Sequence, residues 1–157
     1  MIGVGNAYRG DDGLGPAVTD ALRGRVPSTV AIVECEQELS RLLDAWEGAD
    51  AAIVVDAVER GDAPGGVHRF EGTDGPIPAR AFRSSTHAFG VGDAIELARA
   101  LGRLPRAVIV YGIEGADFTA GEGLSPSVTA GVDAVATAIL SDIERLQPEE
   151  AVCTSTH

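Results

Sequence analysis

A glycine-rich turn followed by two adjacent carboxylates stands near the start of the chain. A short apolar segment leads into Gly3-Val4-Gly5-Asn6, and Asp11-Asp12-Gly13 comes immediately before a helical pattern. Glycines allow the backbone to leave a strand sharply, and paired carboxylates at the start of a helix make a polar site that suits a cation. Core packing alone does not require this combination. The segment is therefore predicted to form one wall of an active site.

The same segment is a poor match to a dinucleotide-binding turn. That fingerprint needs the pattern G-x-G-x-x-G opening directly into a helix, whose bare N–H groups receive the pyrophosphate. Gly3 and Gly5 match the first two glycines, but Tyr8 occupies the third position. Asp11 and Asp12 also place two negative charges where a phosphate would lie, and the chain lacks a P-loop pattern. Phosphate binding is therefore disfavoured.

Asp56 and His87 are two further candidate site residues. Asp56 ends the continuous apolar run 51–55, and a carboxylate that ends a buried central strand is costly unless something uses it. His87 stands directly before a predicted helix. Of the other two histidines, His157 is terminal and His68 lies in a predicted edge strand, where a solvated face explains it.

Position in the fold favours a shared site for Asp12, Asp56 and His87, although each also has a structural interpretation as a helix or turn cap. In a largely parallel sheet, the loops at the carboxyl ends of the strands converge near a switch point. Two carboxylates and one imidazole, completed by water or substrate, suit a divalent first-row metal such as nickel or zinc. The three residues do not form a compact metal motif in sequence, so this prediction depends on the fold.

Side chains that could act as conventional nucleophiles are in weak positions. Ser84, Ser85 and Thr86 adjoin His87, but no G-x-S-x-G elbow surrounds them, which disfavours a serine triad. Cys35 follows a predicted strand and is interpreted as a small buried hydrophobe. Two distant cysteines without a C-x-x-C pair also argue against a disulfide scaffold and a cysteine zinc site.

The elements that would position these residues alternate between strands and helices. Strands are predicted at 1–5, 29–34, 51–55, 67–70 and 107–111, and helices at 14–22, 39–46, 88–101 and 126–146, the last capped by Ser125. This order predicts a three-layer α/β/α sandwich around a largely parallel, twisted central sheet of about five strands. Residues 1–146 are expected to form one domain and 147–157 a disordered C-terminal tail. The first strand is short, so the native start is expected a few residues upstream.

Composition excludes several classes of protein. The net charge of −12 argues against nucleic acid and anionic membrane as partners, because binding to phosphates needs clustered Lys and Arg. No apolar run reaches the length of a transmembrane helix. The N-terminus also lacks the basic and apolar regions of a secretory signal, so a cytoplasmic location is expected.

Several short motifs along the chain form a recognisable set. They are Gly3-Val4-Gly5-Asn6, Asp11-Asp12-Gly13, Gly15-Pro16, Val54-Val55-Asp56-Ala57, Ser85-Thr86-His87 with Asp93, Gly112-Ile113-Glu114, Phe118, Gly121-Glu122 and Leu124-Ser125. Taken in this order and at these separations, they give the chain a resemblance to the nickel–iron hydrogenase maturation endopeptidases, up to Leu146. The segment after the second strand departs from many relatives, because Glu34–Leu39 stands where they carry a glycine-rich Gly-Thr segment.

The resemblance implies a metal-dependent endopeptidase, of the kind classed as aspartic-type, that acts on the hydrogenase large-subunit precursor. It would remove a short C-terminal extension once nickel has been inserted, with the substrate-bound nickel as the recognition element. The resemblance also implies that Asp12, Asp56 and His87 bind the metal and carry the catalysis. Nickel would arrive with the substrate, and another divalent metal such as zinc is an alternative. Hydrolysis would then use a metal-polarised carbonyl and an activated water.

Two other classes of function stay open at this point. One is a non-catalytic chaperone module that senses nickel loading during hydrogenase assembly, and the other is a small-molecule hydrolase of similar architecture. A shortened precursor C-terminus would distinguish a peptidase from a sensor. The oligomeric state is not predicted.

Overall fold

The computed structural model describes residues 1–36, 38–78 and 90–147. Within them a single five-stranded sheet runs in the order β2-β1-β3-β5-β4. Four strands are parallel, and the edge strand β4 pairs antiparallel with β5. The strands are β1 Ile2–Val4, β2 Val33–Cys35, β3 Ala51–Val58, β4 Val67–Glu71 and β5 Ala107–Glu114.

Helices cover both faces of this sheet. They are α1 Leu14–Leu22, α2 Leu39–Ala45, α3 Val91–Ala100 and α4 Pro126–Leu146, and a 3₁₀ helix at Gly10–Gly13 precedes α1. Helices α1 and α4 contact each other over one face, and α2 and α3 contact each other over the other. The predicted α/β/α sandwich with a largely parallel five-stranded sheet is therefore confirmed.

The core lies in two layers because the long central strands are apolar on both sides. In β3, Val54 and Val58 pack under α2 and α3, whereas Ile53 and Val55 pack under α1 and α4. This alternation follows from the two-residue period of a strand, and burial on both faces explains the continuous apolar run in the sequence.

Three strands differ in extent from the sequence prediction for a reason of pairing. The strands β3 and β5 continue three residues past the predicted ends because they pair with each other along their whole length, from Ala51↔Ala107 to Val58↔Glu114. Asp56 therefore lies inside β3 rather than at its end. Conversely, β2 is shorter than predicted, since it pairs only with the three residues of β1.

The helices follow the sequence prediction closely. The bounds of α1 and α4 are as predicted, and α2 ends one residue early, with Trp46 at its C-cap. Helix α3 begins at Val91, and the earlier start predicted at residue 88 lies outside the described residues. So does nearly all of the predicted tail, of which Gln147 alone is described, as the C-cap of α4. No helix among the described residues is long and apolar enough to cross a membrane.

Candidate active site

The order of the strands places a topological switch point at the carboxyl ends of β1 and β3, where open α/β sheets form a crevice. From β1 the chain passes to β2 on one side, and β3 then lies on the other side of β1. Ligands of open α/β sheets bind at such a switch point. Asp12 follows β1 and Asp56 belongs to β3, so the two carboxylates come from the two strands that border the crevice.

The register places Asp56 level with the end of β1. Ile2 pairs with Val54 and Gly3 with Val55, so β1, which stops at Val4, ends opposite Asp56. The Asp56 residue is only 2% exposed. It lies between Val54 and Val58 in β3 and so shares the face of the sheet that α2 and α3 cover. His87 shortly precedes α3 in the sequence.

A tight turn brings Asp12 back against the end of β1. Gly5 has a φ of +133°, and a Cβ there would lie 1.9 Å from the carbonyl oxygen of Asp12. A residue with a side chain would therefore push the Asp12 backbone away. The Asn6 N–H donates to Asp12 Oδ2 at 2.9 Å, which orients this buried carboxylate. The 3₁₀ helix that carries Asp12 also contacts β3, the strand of Asp56.

The negative charge of Asp56 affects the pKa of Cys35, the last residue of β2, on the other side of β1. Burial, followed by the negative charge of Asp56, raises the pKa of the Cys35 thiol to about 11, although Arg41 opposes the shift. The thiol is therefore protonated near neutral pH, where a nucleophile would need the thiolate. Cys35 is free and buried, as its interpretation as a small hydrophobe requires.

The neighbouring carboxylate, Asp11, has a structural role. It is fully buried, and its Oδ2 accepts the N–H groups of Ala116 at 2.7 Å and Asp117 at 2.9 Å. Its Oδ1 accepts the N–H of Ser125 at 2.7 Å. Burial alone would raise the pKa of Asp11, but these hydrogen bonds outweigh it and hold the pKa below 3.8. Asp11 thus fastens the turn after β1 to the loop between β5 and α4.

This arrangement changes two capping interpretations. Ser125 is the N-cap residue of α4 as predicted, but its hydroxyl donates to Asp11 at 2.7 and 2.9 Å instead of capping the helix. Asp12 is not the N-cap of α1 either, because Gly13 occupies that position and no side chain caps it. The adjacent carboxylates therefore make different contacts, Asp11 with the loop between β5 and α4 and Asp12 with Asn6 beside the end of β1.

His87 and the neighbouring hydroxyl residues 84–86 lie outside the described residues. The position of the predicted three-residue site can thus be described only for its two carboxylates, which share one edge of the sheet. Their chemistry fits a divalent cation, since two buried carboxylates supply hard oxygen ligands and negative charge.

Two polar clusters were not found by sequence reasoning. In the first, His68 lies on the edge strand β4, as predicted, but its side chain is only 23% exposed and lies 3.4 Å from Asp62 and 3.8 Å from Glu114, so a solvated face does not fully explain it. In the second, Asp142 on α4 accepts two hydrogen bonds from Arg69 and one from Tyr111. Both clusters depend on the antiparallel placement of β4, which no local pattern in the sequence indicates.

Comparison with known proteins gives consistent matches. The family model described as HycI, hydrogenase maturation protease, matches residues 18–142. Hydrogenase 2 maturation protease of Escherichia coli strain K12 is 27% identical over 161 aligned positions, which cover 97% of this chain and 96% of that protein. The solved structure of the hydrogenase maturating endopeptidase HybD from E. coli has a TM-score of 0.79 and 26% identity, covering 92% of this chain and 90% of its own.

Other curated relatives are longer. The hydrogenase expression/formation protein HupM of Azotobacter chroococcum mcd 1 is 31% identical over 120 residues, which cover 75% of this chain and 57% of that protein. For HupD of Thiocapsa roseopersicina the covered share is 52% of the relative. The chain thus spans little more than half the length of these relatives. The family match begins after Asp12 and includes Asp56.

Proposed function

Because the chain belongs to the hydrogenase maturation protease family, we propose that it is a cytoplasmic endopeptidase acting on the large-subunit precursor of a nickel–iron hydrogenase. It would remove a C-terminal extension from that precursor after nickel has been inserted. The observation that carries this proposal is the pair of buried carboxylates, Asp12 and Asp56, from the two strands that border the switch-point crevice.

In this proposal the nickel is part of the substrate. Asp12 and Asp56 approach the nickel of the precursor with carboxylate oxygens, and His87 supplies an imidazole nitrogen as third ligand. The contact orients the precursor so that the peptide bond to be cut lies beside the metal. The same negative edge also attracts the cation, since two carboxylates focus their field in a crevice.

Hydrolysis needs a water molecule and an acceptor for its proton. The water oxygen bonds to the scissile carbonyl carbon, the carbon–nitrogen bond breaks, and the departing amine takes up a proton. A carboxylate of the pair is suited to accept the proton of the water and pass it to the amine. Cys35 is not a candidate nucleophile in this scheme because its pKa of about 11 keeps the thiol protonated.

The three-residue site would also make cleavage wait for nickel. Ligands that bind the nickel add affinity for the loaded precursor and none for the empty precursor. The enzyme therefore discriminates between the two forms of its substrate by this metal contact. A set of two carboxylates and one imidazole leaves coordination positions for the groups that hold the nickel in the substrate.

The proposal is tested by incubating the protein with a nickel-loaded precursor and measuring the mass of the precursor C-terminus. We expect the wild type to shorten it, and Asp12→Asn and Asp56→Asn to leave it intact while remaining folded. Asp133→Asn is the matched control, because Asp133 is an exposed carboxylate on α4, and it should cleave like the wild type. An intact precursor with the wild type would instead favour a nickel-sensing chaperone.

A further inference from the structure

Three potential metal ligands converge at the β4–β5 edge of the sheet. They are Asp62 in the loop between β3 and β4, His68 on β4 and Glu114 at the end of β5. The His68 Nε2 atom lies 3.4 Å from Asp62 Oδ2 and 3.8 Å from Glu114 Oε2. One ligand atom from each of the three residues lies within 4.8 Å of the other two.

Glu114 is held as a fixed ligand would be. Its side chain is 2% exposed, and its Oε1 accepts the N–H groups of Arg60 at 2.7 Å and Gly61 at 2.8 Å. Its other oxygen, Oε2, faces His68 and has no hydrogen-bond partner within the described ranges. A buried carboxylate oxygen without a partner is costly, and a bound cation removes that cost.

His68 is the second group with unused capacity. Its Nε2 atom is buried and makes no hydrogen bond to any described residue, although both neighbouring groups are carboxylates. Its strand position is fixed by pairing with Gly112 on β5. Gly112 has no side chain, so no side chain at that position of β5 lies between the His68 imidazole and the carboxylate of Glu114, two residues further along β5.

We propose that Asp62, His68 and Glu114 bind a divalent cation of the Zn²⁺ class. Ligand atoms bonded to tetrahedral zinc at about 2.1 Å lie about 3.4 Å apart, close to the two separations given above. Two carboxylates and an imidazole balance the charge of the ion and match its preference for nitrogen and oxygen ligands. The Asp62 side chain is 56% exposed, so a water molecule can complete the coordination.

This site is separate from the proposed active site. Asp56 and His68 are both in register with Gly112, from opposite sides, which places them two strands apart, at about 10 Å. Among the described residues, the group whose ligand atoms lie within 4.8 Å of one another contains Asp62, His68 and Glu114 and does not include Asp56. The second ion would join the loop after β3 to the edge strand β4 and so stabilise the border of the active-site face.

The test is calorimetric titration of the metal-free full chain with Zn²⁺, comparing the wild type with His68→Gln and His157→Gln. We expect His68→Gln to lose one equivalent of zinc or to bind it at least about tenfold more weakly, because losing a direct ligand costs no less than losing a second-shell partner. His157→Gln removes a histidine from the chain end and should bind like the wild type. Equal stoichiometry and affinity for wild type and His68→Gln would overturn the proposal.

A second measurement does not depend on any variant. Crystals of the wild type soaked in Zn²⁺ should give an anomalous peak at the zinc edge within about 2.3 Å of a ligand atom from each of the three residues. At 100-fold excess over the Kd of this site, zinc should also raise the Tm of the wild type by about 5–11 °C more than it raises the Tm of His68→Gln. No anomalous peak between these residues would refute the site.

Discussion

Asp11 and Asp12 are adjacent carboxylates of nearly equal burial, but replacing them by asparagine should have different effects. Asp12→Asn should abolish cleavage and leave the protein folded. Asp11→Asn should destabilise the fold, because the carboxylate accepts N–H groups on both of its oxygens. An amide group has only one oxygen. In either orientation of the amide, its NH₂ group points at a backbone N–H donor, either that of Ser125 or those of Ala116 and Asp117. Two donors then face each other without an acceptor.

The magnitude follows from the hydrogen bonds lost. Each hydrogen bond to a charged group contributes about 1.5–3 kcal/mol, and the donors left facing the NH₂ add a desolvation cost, so Asp11→Asn should cost about 3–5 kcal/mol. For a domain of this size, that corresponds to a fall in Tm of about 6–20 °C. Thermal unfolding followed by circular dichroism measures it. Ser125→Ala, which keeps the carboxylate and removes one hydroxyl donor, should lower Tm by about 3–12 °C.

The pH dependence gives an independent check on the same residue. Since the folded pKa of Asp11 lies below its ordinary value of 3.8, the charged carboxylate stabilises the fold fully above that value. The contribution is lost as the pH falls through the lower, folded pKa. The stability difference between wild type and Asp11→Asn should thus be constant above about pH 5 and shrink below about pH 4. A Tm within about 2 °C of the wild type at neutral pH would refute the structural role of Asp11.

Three further predictions concern the rest of the fold. In a Cys153→Ser background, Cys35 should react slowly with iodoacetamide near pH 8, where a pKa of about 11 leaves about one thiol in a thousand as thiolate, and fast alkylation would contradict that pKa. Asp142→Asn should lower Tm by about 6–12 °C, because it removes the charge of a buried carboxylate whose hydrogen bonds from the exposed Arg69 and from Tyr111 are worth about 3 kcal/mol. Asp133→Asn on the same helix should change Tm by less than about 2 °C. Ending the chain after Gln147 should shift Tm by less than about 2 °C, since the sequence beyond it has no apolar periodicity, and a drop above about 5 °C would show that the tail docks on the core.

The sequence predicts this fold well where local patterns and tertiary packing agree. Helices α1 and α4 have strong apolar periodicity and a proline in the first turn, and both have the predicted bounds. Asp12 and Asp56 were placed at one edge of the sheet because the alternation of strands and helices implies parallel strands. Strand ends were less predictable, since the length of β3 depends on its partner β5.

The polar clusters could not be predicted because their partners are distant in the sequence. Asp11 binds groups 105 to 114 residues away, so its role could not be told apart from that of Asp12. His68 meets Glu114 only because β4 runs antiparallel to β5, a pairing that its short sequence does not specify. Local patterns therefore identify where a site lies, and the register of the strands decides which side chains meet there.

The most direct test of the proposed function is to compare nickel-loaded and nickel-free precursor as substrates of the wild-type protein. Both precursors are incubated under identical conditions, and the mass of each C-terminus is followed over time. If the carboxylate pair and His87 read the nickel of the substrate, only the loaded precursor is shortened. Equal cleavage rates for the two precursors would contradict the account, because the metal would then not be the signal that starts processing.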